Sequence, residues 1–465
     1  MNFLKQKYKY HKSYNFFVSK KALMLITILI LNISCELTDV LENNPPNNLV
    51  PENVVQNELD AQALLNGVYT IITIKTSNYY YQFTETLPST LIGTMKQTAF
   101  GSTHAQFKEN EITFDNYAVN NFWKILYKVI NQANNVITLT SKLPDSKFSI
   151  NKKLEIIGEA HFLRAMATFD ALRYFGQFYD QNSNLGIVLR TAPTNFVTRD
   201  KARSTVAECY TLIISDLDFA ITNAPEYTIS YRASKTAAKA LKARVLLFQK
   251  KYAEAAALAD EVINEATVNL EPNFKTVFSK GLKSSEMIFM TYRDENSDKE
   301  DSNSKRYYSG RVGTTWFPTL MNGDPRKELT YKRSKILKVN NIETFRPTYF
   351  MRLAEIYLIK AEGLAFSGAS FVDSSTPLNI IRNRAGIGDT PALTIDELKN
   401  DIFNEIVREL AFENGSEWFA AIRFDKAMTL KPTITSKNQY ILPIPEEEIA
   451  GNGAITLANQ NPGYE

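Results

Sequence analysis

A chain of 465 residues, 44% hydrophobic, 12% aromatic and 22% charged, is long enough for two or three domains or for one extended solenoid. Its formal charge of +3 belongs to the first stretch, where six lysines (Lys5, Lys7, Lys9, Lys12, Lys20, Lys21) lie with no acidic residue, and without them the balance is −3. No clustered basic face is left for nucleic acid, and two cysteines, Cys35 and Cys209, cannot build a disulfide framework.

The basic opening runs into an apolar stretch, Ala22 to Ile33, interrupted only by Thr27 and Asn32, and that order is the layout of a signal peptide. Twelve residues as a helix reach about 18 Å, short of the roughly 30 Å hydrocarbon core, so the stretch is not expected to remain as a spanning anchor. Ser34 directly before Cys35 resembles the lipobox of bacterial lipoproteins, although Asn32 stands where leucine is usual and Leu31 lies one place earlier. The resemblance implies a signal peptide over residues 1–34, an acylated Cys35 as the lipid attachment and a polar, proline-containing tether over 35–56. Acyl chains at roughly 0.8 kcal/mol per buried methylene hold such a protein on a membrane surface without a spanning element.

Helical spacing begins at Leu59 and runs to Ile74, with Ala63, Val68 and Ile71 among its apolar positions. Residues 76–116 lose that period and gather Tyr79, Tyr80, Tyr81, Phe83, Phe100 and Phe107, a first candidate binding loop. Helices are expected over Tyr117–Leu139 and Lys153–Phe175. The second carries the stripe Ile156, Ala160, Leu163, Ala167, Ala171, Tyr174 and another of Phe162, Met166 and Phe169, the pattern of a helix buried on two sides. Arg203–Ala220 reads as a further helix, and Lys235–Gln249 and Tyr252–Asn264 as an antiparallel alanine-rich pair resembling a tetratricopeptide unit.

From 270 to 346 the pattern changes again: residues 286–290 read as a strand, Asp294 to Ser304 as an acidic loop and Arg306 to Pro318 as a loop bearing Tyr307, Tyr308, Trp316 and Phe317. This is the second candidate binding loop. A helix is expected from Pro347, with Phe350, Leu353, Tyr357, Ala361 and Leu364 on its buried face. Thr394 with Glu397 forms a capping box, and Leu393 with Leu398 a hydrophobic staple, for a helix Ile395–Phe412.

Chemistry-bearing patterns are scarce. His104 and His161 are far apart, and neither HExxH nor paired CxxC occurs, so no metal or cofactor is expected. Asp294, Asn296, Asp298 and Glu300 alternate as in a calcium loop, but Lys299 and Lys305 occupy the positions of the turn glycine and the final acid. No GxSxG elbow is present. Cys209 reads as a small buried hydrophobe, His161 as structural, and Glu355, Glu362, Glu405 and Glu409 as members of helix ion pairs.

Several segments together resemble the SusD/RagB family of surface nutrient-binding lipoproteins of Bacteroidota. They are residues 63–69 (ALLNGVY); Trp123 through Asn131 to Ile137; Gly158-Glu159-Ala160 with Leu163-Arg164-Ala165 and Tyr174-Phe175-Gly176; Arg352 to Glu362; Leu378 to Arg384-Ala385-Gly386; Glu405 to Glu413 with Trp418-Phe419; and Asn461-Pro462-Gly463-Tyr464. The chain departs from the pattern at His161, where arginine is frequent, and at Ala420-Ala421-Ile422-Arg423, where a more acidic run is common. The resemblance implies an all-α dominated fold: about four tetratricopeptide-like helix pairs, a little β structure and an irregular, loop-rich ligand-binding side, with residues 57–465 as one SusD-like domain. It implies a non-enzymatic outer-membrane protein facing the cell exterior that delivers a nutrient, a glycan above all, to a SusC-like TonB-dependent transporter. Peptide uptake of the RagB type is the alternative, and a surface hydrolase a more distant one. Trp123 and Trp418 fall in scaffold segments, which leaves Tyr79, Tyr80, Tyr81, Tyr308 and Trp316 as the expected ligand platform.

Overall fold

The computed structural model describes residues 54–73, 80, 82–96, 101–300, 311–313 and 316–464. Cys35, the leader and the tether lie outside these residues, as do Tyr79, Tyr81 and Tyr308. Eight long helices among the described residues stack as four consecutive pairs: α1 (Glu58–Thr73) with α2 (Tyr117–Lys142), α3 (Lys152–Phe175) with α4 (Val206–Asn223), α5 (Lys235–Phe248) with α6 (Tyr252–Asn264), and α7 (Leu353–Ser367) with α8 (Phe371–Arg384). Each pair packs on the next, α9 (Ile395–Leu410) and α10 (Ser416–Arg423) close the series, and Val55–Glu465 form one compact unit. This is the tetratricopeptide-like arrangement that the sequence implies.

The helix starts follow their capping chemistry. Asn116 accepts the Ala118 and Val119 amides ahead of α2, and reciprocal capping boxes pair Thr205 with Glu208 and Thr394 with Glu397. From Ile156 to Phe175 every residue of α3 but His161 is buried, so this helix lies inside the stack, against α2 and α4. A side chain at Gly158 would place its Cβ 2.6 Å from the Ala224 amide nitrogen, and this accounts for the glycine in one family segment. Trp123 and Trp418 are both buried, as expected of packing residues.

Three family segments, those holding Arg352, Arg384 and Glu405 to Glu413, converge on an ionic cluster in the interior. Arg326, Lys338, Arg352 and Arg384 meet Glu286, Asp324, Glu405, Glu409 and Glu413. Arg352, with no exposed surface, donates to Glu413, Glu286 and Glu409 at 2.6–3.0 Å and to the Glu409 carbonyl. Burial alone would raise the Glu409 carboxyl, but the guanidiniums of Arg384, Arg352 and Arg326 outweigh it and hold the group well below the usual carboxylate range. Glu355 pairs with Arg244 and Glu362 with Arg423, so all four glutamates assigned to ion pairs are in them.

Four local expectations fail, one of them the acidic loop from Asp294, where Glu295–Glu300 form a helix. The segment entering α7 is not helical: Tyr349–Arg352 form a strand, β6, antiparallel to β2 (Met287–Met290), and α7 begins only at Leu353. Every residue of β6 is buried, and a short, wholly buried apolar run has no period to separate strand from helix. Leu393 is 87% exposed, so no staple forms. The first insertion also contains helix: Leu87–Ile92, buried at every residue with Pro88 in its first turn, and Gly101–Glu109.

Candidate binding site

The two insertions meet. Strands β1 (Met95–Lys96) and β3 (Arg311–Val312) pair antiparallel, Met95 opposite Val312, in a four-stranded sheet completed by β4 (Tyr331–Lys332) and β5 (Lys335–Ile336) in the order β1-β3-β5-β4. The Gly313 amide extends the ladder to the Thr94 carbonyl at 2.8 Å. A Cβ at Gly313 would lie 1.8 Å from the Gly93 carbonyl oxygen, so only glycine permits this approach. Half-buried Trp316 belongs to the same joint, its indole N–H donating to the Ile92 carbonyl at 3.0 Å and its ring meeting Phe317 edge-on.

Tyr80 does not belong to a ligand platform. It is 1% exposed, its ring is enclosed by Phe122 and Phe350, and its hydroxyl donates to Asp170 at 2.5 Å. An aromatic residue in an aperiodic segment has here become core, fastening the first insertion to α3. His104, in the same insertion, is also buried, and burial lowers its imidazole to about 4.

A cavity of about 450 Å³ opens where α1 ends, ahead of the first insertion, and where β2 ends, within the second. That volume lies within the usual range for small-molecule sites. Asn66, Thr70 and Thr73 contribute one face of α1, and Tyr231, Arg232 and Tyr292 the opposite wall. Tyr231 and Tyr292 form an edge-to-face pair with centroids 5.0 Å apart, and Tyr292 is 44% exposed. Such a pair presents an apolar ring face beside phenolic hydroxyls.

Arg232 is held in place from below. Its guanidinium lies 4.2 Å over the Tyr69 ring, Nη1 donates to Asn66 Oδ1 at 2.8 Å and Nη2 to buried Glu159 at 3.0 Å. The Tyr69 hydroxyl donates to the other Glu159 oxygen at 2.5 Å and accepts the Ala233 amide at 2.8 Å. Burial raises the Glu159 carboxyl above its ordinary value while Arg232 draws it down. Glu159 thus serves to orient Arg232, whose five N–H donors make it a hydrogen-bonding group for ligand oxygen.

The sequence reading missed Tyr231, Arg232 and Tyr292. They lie in short connections, after α4 and after β2, where the criterion applied to Tyr79–Tyr81, aromatic residues outside helical periodicity, also holds.

Stacked helix pairs that carry an aromatic-edged cavity define a helical-repeat protein with a candidate ligand site. Residues 39–247 match a family described as starch-binding and associating with the outer membrane, and residues 289–431 match the SusD family. The chain belongs to the SusD/RagB family. SusD-like protein P2 of Formosa agariphila is 26% identical over 533 residues, covering 96% of this chain and all of that one. A SusD superfamily structure from Bacteroides thetaiotaomicron superposes with a TM-score of 0.74 at 22% identity over 88% of this chain and 100% of its own. A laminarin binding SusD-like protein gives 0.72 at 23% identity, with the same coverage of both chains. Among the described residues no helix is long and apolar enough to cross a membrane.

Proposed function

We propose that the protein is an outer-membrane lipoprotein, anchored through Cys35 after loss of residues 1–34, that captures an oligo- or polysaccharide without chemical turnover and passes it to a SusC-type TonB-dependent transporter. The observation that carries this reading is the cavity between Asn66 and the Tyr231–Tyr292 pair, with Arg232 fixed beside an exposed ring. Aromatic faces pack on the C–H faces of sugar rings, while amide, guanidinium and hydroxyl groups bond their hydroxyls, which yields affinity without a reacting group. Family membership and a laminarin-binding neighbour of the same fold support the same class of ligand. Trp316, Tyr79, Tyr81 and Tyr308 are proposed as further ligand contacts.

Affinity electrophoresis and calorimetry of the full-length protein against a panel of polysaccharides and peptide digests test this. Tyr292→Ala is expected to weaken glycan binding about tenfold, the equivalent of one aromatic contact of roughly 1.4 kcal/mol. Binding of peptides with no glycan retained would assign the protein to peptide uptake. Glycan binding indifferent to Tyr292→Ala and Arg232→Ala would remove the site from this cavity.

A further inference from the structure

A second cavity, of about 340 Å³, adjoins the first and shares two lining residues with it, Asn66 and Arg232. Its volume too lies within the range of small-molecule sites. Gln62 of α1 contributes one side, and the connection from α4 to α5 the other through Thr228 and Ile229. These side chains face the space they line: Thr228 is exposed, Gln62 half-buried and Ile229 38% exposed. Ile229 supplies an apolar patch among polar groups, as the C–H face of a sugar ring requires.

α1 runs along both cavities. Gln62, Asn66, Thr70 and Thr73 follow one another at steps of four, four and three, which places them on one face of the helix. Gln62 lines only the second cavity, Thr70 and Thr73 only the first, and Asn66 lines both. From Gln62 to Thr73 this polar track measures about 16 Å at about 1.5 Å per residue, longer than a single sugar ring.

Where the cavities meet, the track offers donors alone. The Asn66 side-chain oxygen accepts from Gln62 Nε2 at 3.1 Å and from Arg232 Nη1 at 2.8 Å, which uses both its lone pairs and fixes the carboxamide. Its NH2 group has no partner among the described residues and is left to donate. Arg232 commits two of its five N–H donors, to Asn66 and Glu159, and 22% of its side chain stays accessible. In a neutral glycan the oxygens that accept without donating are the glycosidic and ring oxygens, and both kinds lie at every linkage. Charge does not select an acid here, because Arg232 pairs with Glu159, Lys152 with Glu155 and Glu226 with Lys235.

We propose that the two cavities are adjoining subsites of one groove that holds at least two consecutive rings of a neutral glycan, with Asn66 and Arg232 donating to the oxygens at the linkage between them. The assignment rests on the carbohydrate-capture reading and deepens it: the groove recognises a stretch of chain along α1 rather than a single sugar.

The test is calorimetry of the full-length protein with laminari-, malto-, cello- and manno-oligosaccharides of one to four units. In at least one series affinity should rise tenfold or more from one unit to three. Thr228→Trp, which fills the second cavity from an exposed position, should cut that gain below twofold with the melting temperature unchanged. Asn66→Asp still accepts from Gln62 and Arg232 but lacks the NH2 donor, and it should weaken the trisaccharide at least tenfold; a merely structural bridge would tolerate it. The proposal is overturned if no series binds, if affinity does not rise with length, or if either variant binds the trisaccharide as tightly as wild type. Retention of acidic polysaccharides alone in the electrophoresis panel would also overturn it. Any of these results beside a retained polysaccharide sinks the two-subsite groove but not the capture reading. Failure of both the oligosaccharides and the polysaccharide panel would sink both.

Discussion

Replacing Arg352 with methionine removes the cation at the centre of the buried cluster. Glu286, Glu409 and Glu413 each lose a bond of 2.6–3.0 Å, and the Glu409 carbonyl loses its donor. The Arg326 and Arg384 contacts to Glu409 and Glu286 remain, so the structure is weakened rather than abolished. Breaking a buried ion pair from one side costs about 3–5 kcal/mol. In a unit of this size that corresponds to a melting temperature lower by about 3–6 °C.

The deficit also has a pH signature. With fewer counter-charges, at least one of the three carboxyls acquires a folded-state pKa above its unfolded value of about 4.3. A group raised in this way stabilises the fold at low pH and loses that contribution as pH rises through the folded value. The melting-temperature gap between Arg352→Met and wild type should therefore be widest at pH 7.5 and narrower at pH 5.5, as followed by circular dichroism. A gap below about 2 °C, or one equal at both pH values, would refute this account of the cluster.

Gly313→Ala is expected to prise the two insertions apart, because its Cβ would lie 1.8 Å from the Gly93 oxygen. Trp123 and Trp418 are buried, so the rise in acrylamide quenching should come from Trp316, and unchanged quenching would mean that the joint tolerates the methyl. His104 should make the fold acid-sensitive: burial lowers its imidazole from 6.5 to about 4, so as pH falls through this window the unfolded chain takes a proton that the fold refuses. The loss reaches about 3 kcal/mol near pH 4, and His104→Gln should show a correspondingly smaller drop in urea midpoint between pH 7 and 4.5. Asn461→Ala should cost about 2–4 kcal/mol in urea unfolding, since two buried carbonyls lose a donor. These are Phe175 and Leu442, at 2.8 and 2.7 Å, and Arg203 loses its acceptor as well. Stability unchanged by this substitution would show that the closing segment does not clasp α3.

Much of the helical frame is legible in the sequence because the long helices carry apolar stripes, and α2, α4, α5, α8 and α9 a capping side chain as well. The boundaries of α5 and α6 agree with expectation to within a residue, since only Lys250 and Lys251 separate the apolar patterns and such a turn forces antiparallel packing. Cys209 is buried as read, and burial pushes its thiol up to about 12, beyond the range of a nucleophile. Legibility fails where the fold is set by contacts distant in sequence. β6 is a strand because β2 lies beside it, and Tyr80 is core because Asp170 waits on α3. The candidate cavity is hidden for the same reason: Asn66, Arg232 and Tyr292 come together only once α1, the connection after α4 and the end of β2 have been placed by the stack.

The joint between the insertions is written almost wholly in main-chain atoms. Met95 with Val312, the Gly313 amide on Thr94 and an indole on the Ile92 carbonyl ask of the sequence little beyond one glycine and one tryptophan. Side chains elsewhere in the two segments are free of that duty. Variation of those side chains can thus change the surface of both insertions while the seam between them is kept, so a new surface need not be accompanied by a new fold.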